Sequence, residues 1–370
     1  VGRSGGSSGS GGAGPASTSE LHDASTCGDA TYPPPPSSKN GGGSLEIVVA
    51  QSDVDFGDSP PSTSEAPTRF RNIGLDLDGR CGAKEPACAV SRSSVEVLDG
   101  PGGIDNAYGQ FIQMMRNLLT NFSSEIYSAQ LHNGSPGILI HVTGYNGETD
   151  DDQVLVELMS SARFDAFSSG SMPAWDGNDV FPIDPSTVLD RNPRNAQVVD
   201  PHGYVSNGRL VATLGDAPIP LRTGFTDTFE VQLDLGLHAA FLVCDVGPTD
   251  SGPWGFALTA CTLAGRWTAD DIVHQLSRFP DPLDLKNPAP LCMNATSYGG
   301  LKSTICNLRD ISSSGTAGPT ALCDALSFGM NFHTLPARLG DVFGSIRGSP
   351  ACPPGAEPAG DSCDGPIGDR

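Results

Sequence analysis

Hydrophobic and polar positions change period several times along this chain. Ile138, Ile140 and Val142 alternate with Leu139 and His141, and after the polar run YNGETDD the positions Val154, Val156 and Leu158 alternate with Leu155, Glu157 and Met159. A period of two with a polar run between predicts an antiparallel hairpin whose loop is longer than two residues. Further strands are predicted at Arg209 to Leu214, Thr228 to Asp245 and Trp254 to Leu263, each bounded by Gly, Pro or Asn. Within them Phe229, Val231, Leu233, Leu235 and Leu237 alternate with Glu230, Gln232, Asp234 and Gly236, so one face is buried and the other wet. Elsewhere the spacing is three and four. Ile104, Ala107, Tyr108, Phe111, Ile112, Met115, Leu118 and Leu119 outline one face of an amphipathic helix. Thr268, with Asp271 three residues on, reads as the cap of a second helix with Ile272, Val273, Leu276 and Phe279 on its apolar side. Leu301, Ile305, Leu308 and Ile311, then Leu322, Leu326 and Phe328, predict short helices.

Long antiparallel strands separated by polar turns predict a mainly β fold, an antiparallel β-sandwich or jelly-roll. A helix precedes it and a small Cys-containing helical region follows. The Gly/Ser/Pro composition of VGRSGGSSGSGGAGPASTS, TYPPPPSSKNGGGS and DSPPSTSEAPT marks residues 1–67 as a disordered tether, because such segments bury too little apolar surface to offset the entropy of ordering. Residues 68–285 then form the β-rich domain, 286–346 the helical, disulfide-stabilised region and 347–370 an irregular Cys-containing tail.

Composition restricts the partners. The 370 residues carry 21 Lys and Arg against 43 Asp and Glu, a formal charge of −22, which repels nucleic acid and anionic lipid and favours cations or basic proteins. The longest apolar runs are too short for a transmembrane segment. Val1 stands where Met is expected and no leader pattern follows, which reads as a processed or truncated terminus. Ten cysteines in a tethered chain point to disulfides in an extracytoplasmic, secreted or cell-surface compartment, with a lipid anchor supplied by a missing N-terminal segment. Local pairing predicts Cys81 with Cys88, Cys244 with Cys261, and Cys352 with Cys363. Pairing among Cys27, Cys292, Cys306 and Cys323 is open, and Cys27 is the candidate for an intermolecular bond.

Three acidic loops carry the candidate chemistry. Asp76 and Asp78 in LDLDGR, and Asp150, Asp151 and Asp152 in NGETDDD, are oxygen donors near Gly-containing turns and are candidate calcium ligands. No Glu stands at the twelfth position after Asp76, which excludes an EF-hand. Trp175 flanked by Asp176, Asn178 and Asp179 has the make-up of a sugar platform, an aromatic face beside acceptors for hydroxyls. GxSxG at Gly5, Ser7 and Gly9 and GxGxxG at Gly9, Gly11 and Gly14 lie in the tether, where no strand and helix frame them, and carry no chemistry. The seven histidines contain no HExxH.

The phrases DLDGRC, GIDNAYGQ, GYNGETDDDQV, PAWDGNDV and LAGRW, with the late Cys/helix segment, extend the argument to about Gly74 to Gly344. This block resembles uncharacterised bacterial surface lipoproteins in which a Gly/Ser tether precedes a β-rich domain. The resemblance implies display outside the cell rather than an activity; the chain departs from the pattern in having no lipid-modifiable Cys at its first residue. The reading that follows is a non-catalytic surface or secreted protein that requires no cofactor, with calcium as the candidate ion. It would bind a glycan, a cation or a cell-surface protein through strand-end loops. The competing reading is a secreted, glycosidase-like hydrolase using the acidic loops, which needs two carboxylates about 5 to 10 Å apart across a cleft.

Overall fold

The computed structural model describes residues 31–58, 66–80, 87–89, 97–116, 123–164, 172–226, 229–284, 289–315, 320–343 and 351–365. The mainly β, antiparallel class is as expected. Eight strands close into one barrel: β1 (Leu45–Gln51), β2 (Ile138–Tyr145), β3 (Asp151–Ser160), β5 (Val198–Ser206), β6 (Arg209–Thr226), β7 (Phe229–Pro248), β8 (Phe256–Thr268) and β9 (Ala325–Pro336). The two-layer sandwich or jelly-roll suggested by the strand pattern is replaced by this closed ring, because β1 pairs antiparallel with both β2 and β9 and leaves no free edge between them. A short parallel ribbon of β4 (Val180–Ile183) and β10 (Arg338–Val342) lies outside the ring.

Two readings of the ends of the chain are corrected. LEIVVAQ, inside the stretch taken as tether, is barrel strand β1; its five consecutive buried residues supply the apolar area that the surrounding Gly and Pro lack. Tyr32 and Pro33 also dock: the Tyr32 ring stacks on Phe241 at 4.9 Å and the Tyr204 hydroxyl donates to the Pro33 carbonyl at 2.6 Å. At the other end, the stretch predicted as helical through Phe328 holds, among its described residues, one helix, α4 (Tyr298–Asn307), followed by β9. In β9 Leu326, Phe328, Met330 and Phe332 alternate into the barrel core. Leu322, grouped with them at helical spacing, precedes the strand and is exposed.

Inward positions of all eight strands fill the barrel, among them Ile47, Ile140, Val156, Val205, Leu210, Leu242, Leu263 and Phe328. An eight-stranded ring is just wide enough for side chains to occupy its interior. The predicted helix after DGPGG appears as α1 (Ala107–Met115), capped by Asn106, whose side chain accepts from Gly109 N at 2.8 Å. It sets Tyr108 against Trp267 and Phe328 at 5.6 and 5.0 Å between ring centres. Helix α2 (Ser124–His132) adds Tyr127 and Leu131 to the same core. The Thr268 cap is present at the start of α3 (Ala269–His274), its hydroxyl accepting from Asp271 N at 3.2 Å. A cavity of about 20 Å³ between α1, α3 and α4, lined by Phe111, Trp267, Phe279 and Leu301, has room for one water-sized molecule.

The outer wall is covered in two places, so β2 is buried on both faces. Leu139, Val48 and Met159 lie under the ribbon residues Phe181 and Ile183. Beside them buried His141 is held between Glu157 (2.7 Å) and Glu46 (2.9 Å). On another part of the wall Leu75 and Leu77 cover Val211, Phe241, Val243, Ala264 and Ala325.

Among the described residues every cysteine is disulfide-bonded. Cys244 and Cys261 pair as expected, directly opposite each other on β7 and β8. The other two local pairs are corrected: Cys88 joins Cys323, while Cys352 and Cys363 go separately to Cys292 and Cys306. The reason is that residues 351–365 lie along α3 and α4. Asp361 accepts from Lys302 Nζ at 2.7 Å and Tyr298 Oη at 2.8 Å, and Cys363 N donates to Asp270 at 2.8 Å. Cys27 and Cys81 lie outside the described residues. No described helix is long and apolar enough to cross a membrane.

Candidate cation site between the 74–80 and 97–105 loops

The sequence GLDLDG sorts its side chains by alternation. Leu75 and Leu77 turn onto the barrel wall, and Asp76 and Asp78 gather on the other side with Asp105, from the loop before α1. Glycines make the approach feasible: Gly74 adopts φ +120°, and a Cβ on Gly329 of β9 would stand 2.6 Å from the Ile73 carbonyl. The loop backbone therefore rests directly on β9. Gly79, at φ +77°, closes the turn.

One oxygen from each of Asp76, Asp78 and Asp105 lies within 4.8 Å of the other two. Their remaining hydrogen bonds fix the loop. Asp76 Oδ1 accepts from Gly79 N (2.7 Å) and Arg80 N (3.2 Å), and Asp78 Oδ1 accepts from Arg80 N (2.8 Å). Asp105 Oδ2 accepts from Leu77 N (2.7 Å) and Asp78 N (3.2 Å). Asp76 Oδ2 is buried and has no hydrogen-bond partner. The Asp76 and Asp105 residues are 3% and 4% exposed, so solvent does little to screen their charges.

Two more carboxylates act on the cluster. Asp310 accepts from Ser327 N at 2.8 Å and Ser327 Oγ at 2.5 Å, and half-buried Asp99 comes from the same loop as Asp105. Burial pushes Asp78 up to about 6, with repulsion from Asp76 adding to it. Burial and then Asp78 raise Asp99 to about 6. Asp310 is raised to about 7 by burial, against the opposing Ser327 hydrogen bonds. Asp105 is pushed well above the carboxylate range by burial and by Asp78, Asp310 and Asp99. Burial likewise raises Asp76. The nearby cations do not cancel this. Arg80 Nε stands 4.0 Å from Asp78, and buried Arg266, itself pushed down by burial, donates to the Leu77 carbonyl at 2.5 Å. Two unit charges 4.8 Å apart repel by about 3.5 kcal/mol at an effective dielectric of about 20, so the cluster needs either protons or a cation. Its donors are all oxygen, the set preferred by hard divalent ions.

The other expected site residues are placed elsewhere in their own turns. Asp151 accepts from Asn146 N and Gln153 N, Asp150 from Asn207 N, and Asp152 from Gly41 N while pairing with Lys39 at 3.3 Å. These contacts tie the β2–β3 turn to the β5–β6 turn and to residues 39–41, and Asp150, Asp151 and Asp152 do not join the Asp76 cluster. Trp175 packs its half-buried ring against Phe181 at 5.5 Å and His132 at 5.6 Å, and its indole N–H donates to the His132 carbonyl at 3.2 Å. Asp179 receives Ala174 N and Trp175 N, Asp176 receives Asn178 N, and Asn178 receives Arg338. The segment is a self-capped loop whose ring plugs the outer cluster. Sequence reasoning missed Asp99, Asp105 and Asp310. Asp105 stands in GIDN immediately before the Asn106 cap, where it reads as helix-entry polarity, and Asp99 reads as part of the DGPGG turn. Comparison with protein families, with curated proteins and with solved structures found no match.

Proposed function

We propose that this chain is an extracytoplasmic, non-catalytic binding protein that takes up one hard divalent cation at Asp76, Asp78 and Asp105. The carrying observation is the convergence of three carboxylates within 4.8 Å, with the buried Asp76 Oδ2 left without a hydrogen bond. A cation would replace both the missing partner and the missing counter-charge. Four disulfides in the described residues are consistent with an oxidising compartment, and the resemblance to tethered surface lipoproteins fits the same location. In this reading the barrel is a rigid scaffold, and its loops meet a glycan or a surface protein.

The test is thermal unfolding of the full chain in chelator and after addition of calcium or magnesium. A cation that binds only the folded state at about 100 times its Kd adds about 2.7 kcal/mol of stability. An unchanged melting temperature with every divalent ion would refute the proposal.

A further inference from the structure

We propose that the occupant is calcium and that it works as a clasp, tying the two ends of the 76–105 segment to each other and to the barrel wall. This rests on the cation reading above. Asp76 and Asp78 belong to the outgoing end of the segment and Asp105 to the returning end, so an ion held by all three closes the segment at its base. The ends already touch: Asp105 N donates to the Leu75 carbonyl at 3.0 Å, and Asp105 Oδ2 takes Leu77 N and Asp78 N. Between them residues 87–89 are fastened separately, through Cys88–Cys323 and the backbone bonds between Ala89 and both Ala321 and Cys323. Among its described residues the segment thus has a covalent fastening at Cys88 and an electrostatic one at its base.

What lies behind the base is the reason a clasp is needed. Leu75 and Leu77 shield a patch of the outer wall formed by Val211, Phe241 and Val243, and the Leu77 carbonyl is the acceptor of buried Arg266. Immediately after Asp105, Asn106 Oδ1 accepts from Gly109 N and from Gly329 N, binding the start of α1 to β9. Ala107 N donates to Ser327 Oγ at 2.8 Å. Movement at Asp105 would therefore be transmitted both to the wall cover and to the helix that places Tyr108 on the core. Carboxylates left ionised without a cation would repel one another and act to open this joint. With one, the same oxygens pull it closed.

The donor set favours calcium. Calcium accepts six to eight oxygens, several of them carboxylate, at about 2.3 to 2.6 Å in a tolerant geometry, so opposite oxygens of its shell stand about 4.6 to 5.2 Å apart. Magnesium demands a near-ideal octahedron, retains waters and typically takes one or two carboxylates. Three carboxylates from two loops, each oriented by backbone N–H groups, match the larger ion. The buried, unpartnered Asp76 Oδ2 is the oxygen that the loop's own hydrogen bonds leave available.

Hydrogen exchange on the full chain, read by mass spectrometry in chelator, in calcium and in magnesium, tests the clasp. Binding heat is measured on the same samples. Calcium at about 100 times its Kd should slow exchange in residues 74–80 and 105–109 by about 100-fold, if opening requires release of the ion, while β2 (Ile138–Tyr145) changes little. Asp78→Asn, which keeps an acceptor for Arg80 N, should abolish the calcium-dependent protection without changing exchange in β2. Calcium heat without protection in 74–80 would overturn the clasp and leave cation binding intact. Equal protection and heat with magnesium would overturn the assignment to calcium. No heat with either ion would overturn the cation reading as well.

Discussion

Asp78→Asn should change the sign of its effect on stability according to whether calcium is present. In chelator the Asp78 carboxyl is raised from 3.8 to about 6 by burial and by Asp76. A carboxyl with a raised folded-state pKa holds its proton more tightly in the folded than in the unfolded chain, so its contribution is favourable below about pH 4. That contribution is lost as pH rises through about 6. Two units at about 1.36 kcal/mol each make the loss about 3 kcal/mol at pH 7. Asparagine does not titrate and retains the oxygen that accepts from Arg80 N. The variant should therefore be more stable than the parent in chelator at pH 7, by about 3 kcal/mol, or on the order of 5 °C for a domain of this size. At pH 4 the two should unfold together. In calcium at about 1,000 times its Kd the order should invert, because the parent then gains about 4.1 kcal/mol, more than the roughly 3 kcal/mol at issue, and the variant, lacking a ligand, does not. Comparing variant with parent also removes the opposite contributions of Glu157 and Asp361. Burial would raise both, but hydrogen bonds from His141 and Ala196 N, and from Lys302 and Tyr298, outweigh it and hold them low. Differential scanning calorimetry over pH 4 to 8, with and without calcium, reads all of this. A variant that is less stable than the parent in chelator at pH 7 would refute the argument from charge repulsion.

Other parts of the account are open to direct measurement. Thiol titration of the unfolded, unreduced chain should find two or fewer free thiols, and non-reducing peptide mapping should recover Cys88–Cys323, Cys292–Cys352 and Cys306–Cys363; a Cys81–Cys88 peptide would contradict the topology. A chain beginning at Asp53 lacks β1 and should lose cooperative urea unfolding, because the ring is left with two unpaired edges at β2 and β9; a sharp transition with an unchanged midpoint would show that β1 is dispensable. Lys302→Met leaves the largely buried Asp361 without its cationic partner and should lower stability by about 3 to 5 kcal/mol in urea titration at pH 7; a cost below about 1 kcal/mol would mean the pair does not clamp the C-terminal segment. Trp175→Ala should lower the melting temperature by removing the ring that packs on Phe181; selective loss of glycan binding with unchanged melting would instead support the platform reading.

The parts of the fold that depend on near neighbours were legible in the sequence. Alternation in β2 and β3, the face of α1 and the Thr268 cap all follow from contacts within a few residues or across one turn. Cys244 and Cys261 were readable for the same reason, since they lie on adjacent strands joined by one turn. Closure of the ring was not, because the β1–β9 pairing joins residues nearly 300 positions apart in sequence and leaves no local mark. β1 was concealed by its Gly- and Pro-rich surroundings. In β9 the period of two at Leu326, Phe328, Met330 and Phe332 was present, but the four-residue step from Leu322 to Leu326 imitated a helix. The site divides in the same way. The Asp76-x-Asp78-Gly79 spacing was visible, whereas Asp105 and Asp310 join it only through the packing of the 97–105 loop and β9.

Isothermal titration of calcium into the chelator-treated full chain is the most direct test of the central claim, that the Asp76, Asp78 and Asp105 carboxylates form a cation site. A saturable heat at one ion per chain is expected, lost in Asp105→Asn while that variant still shows folded-state circular dichroism. Absence of heat in the parent chain, or an undiminished heat in the folded Asp105→Asn variant, would contradict it.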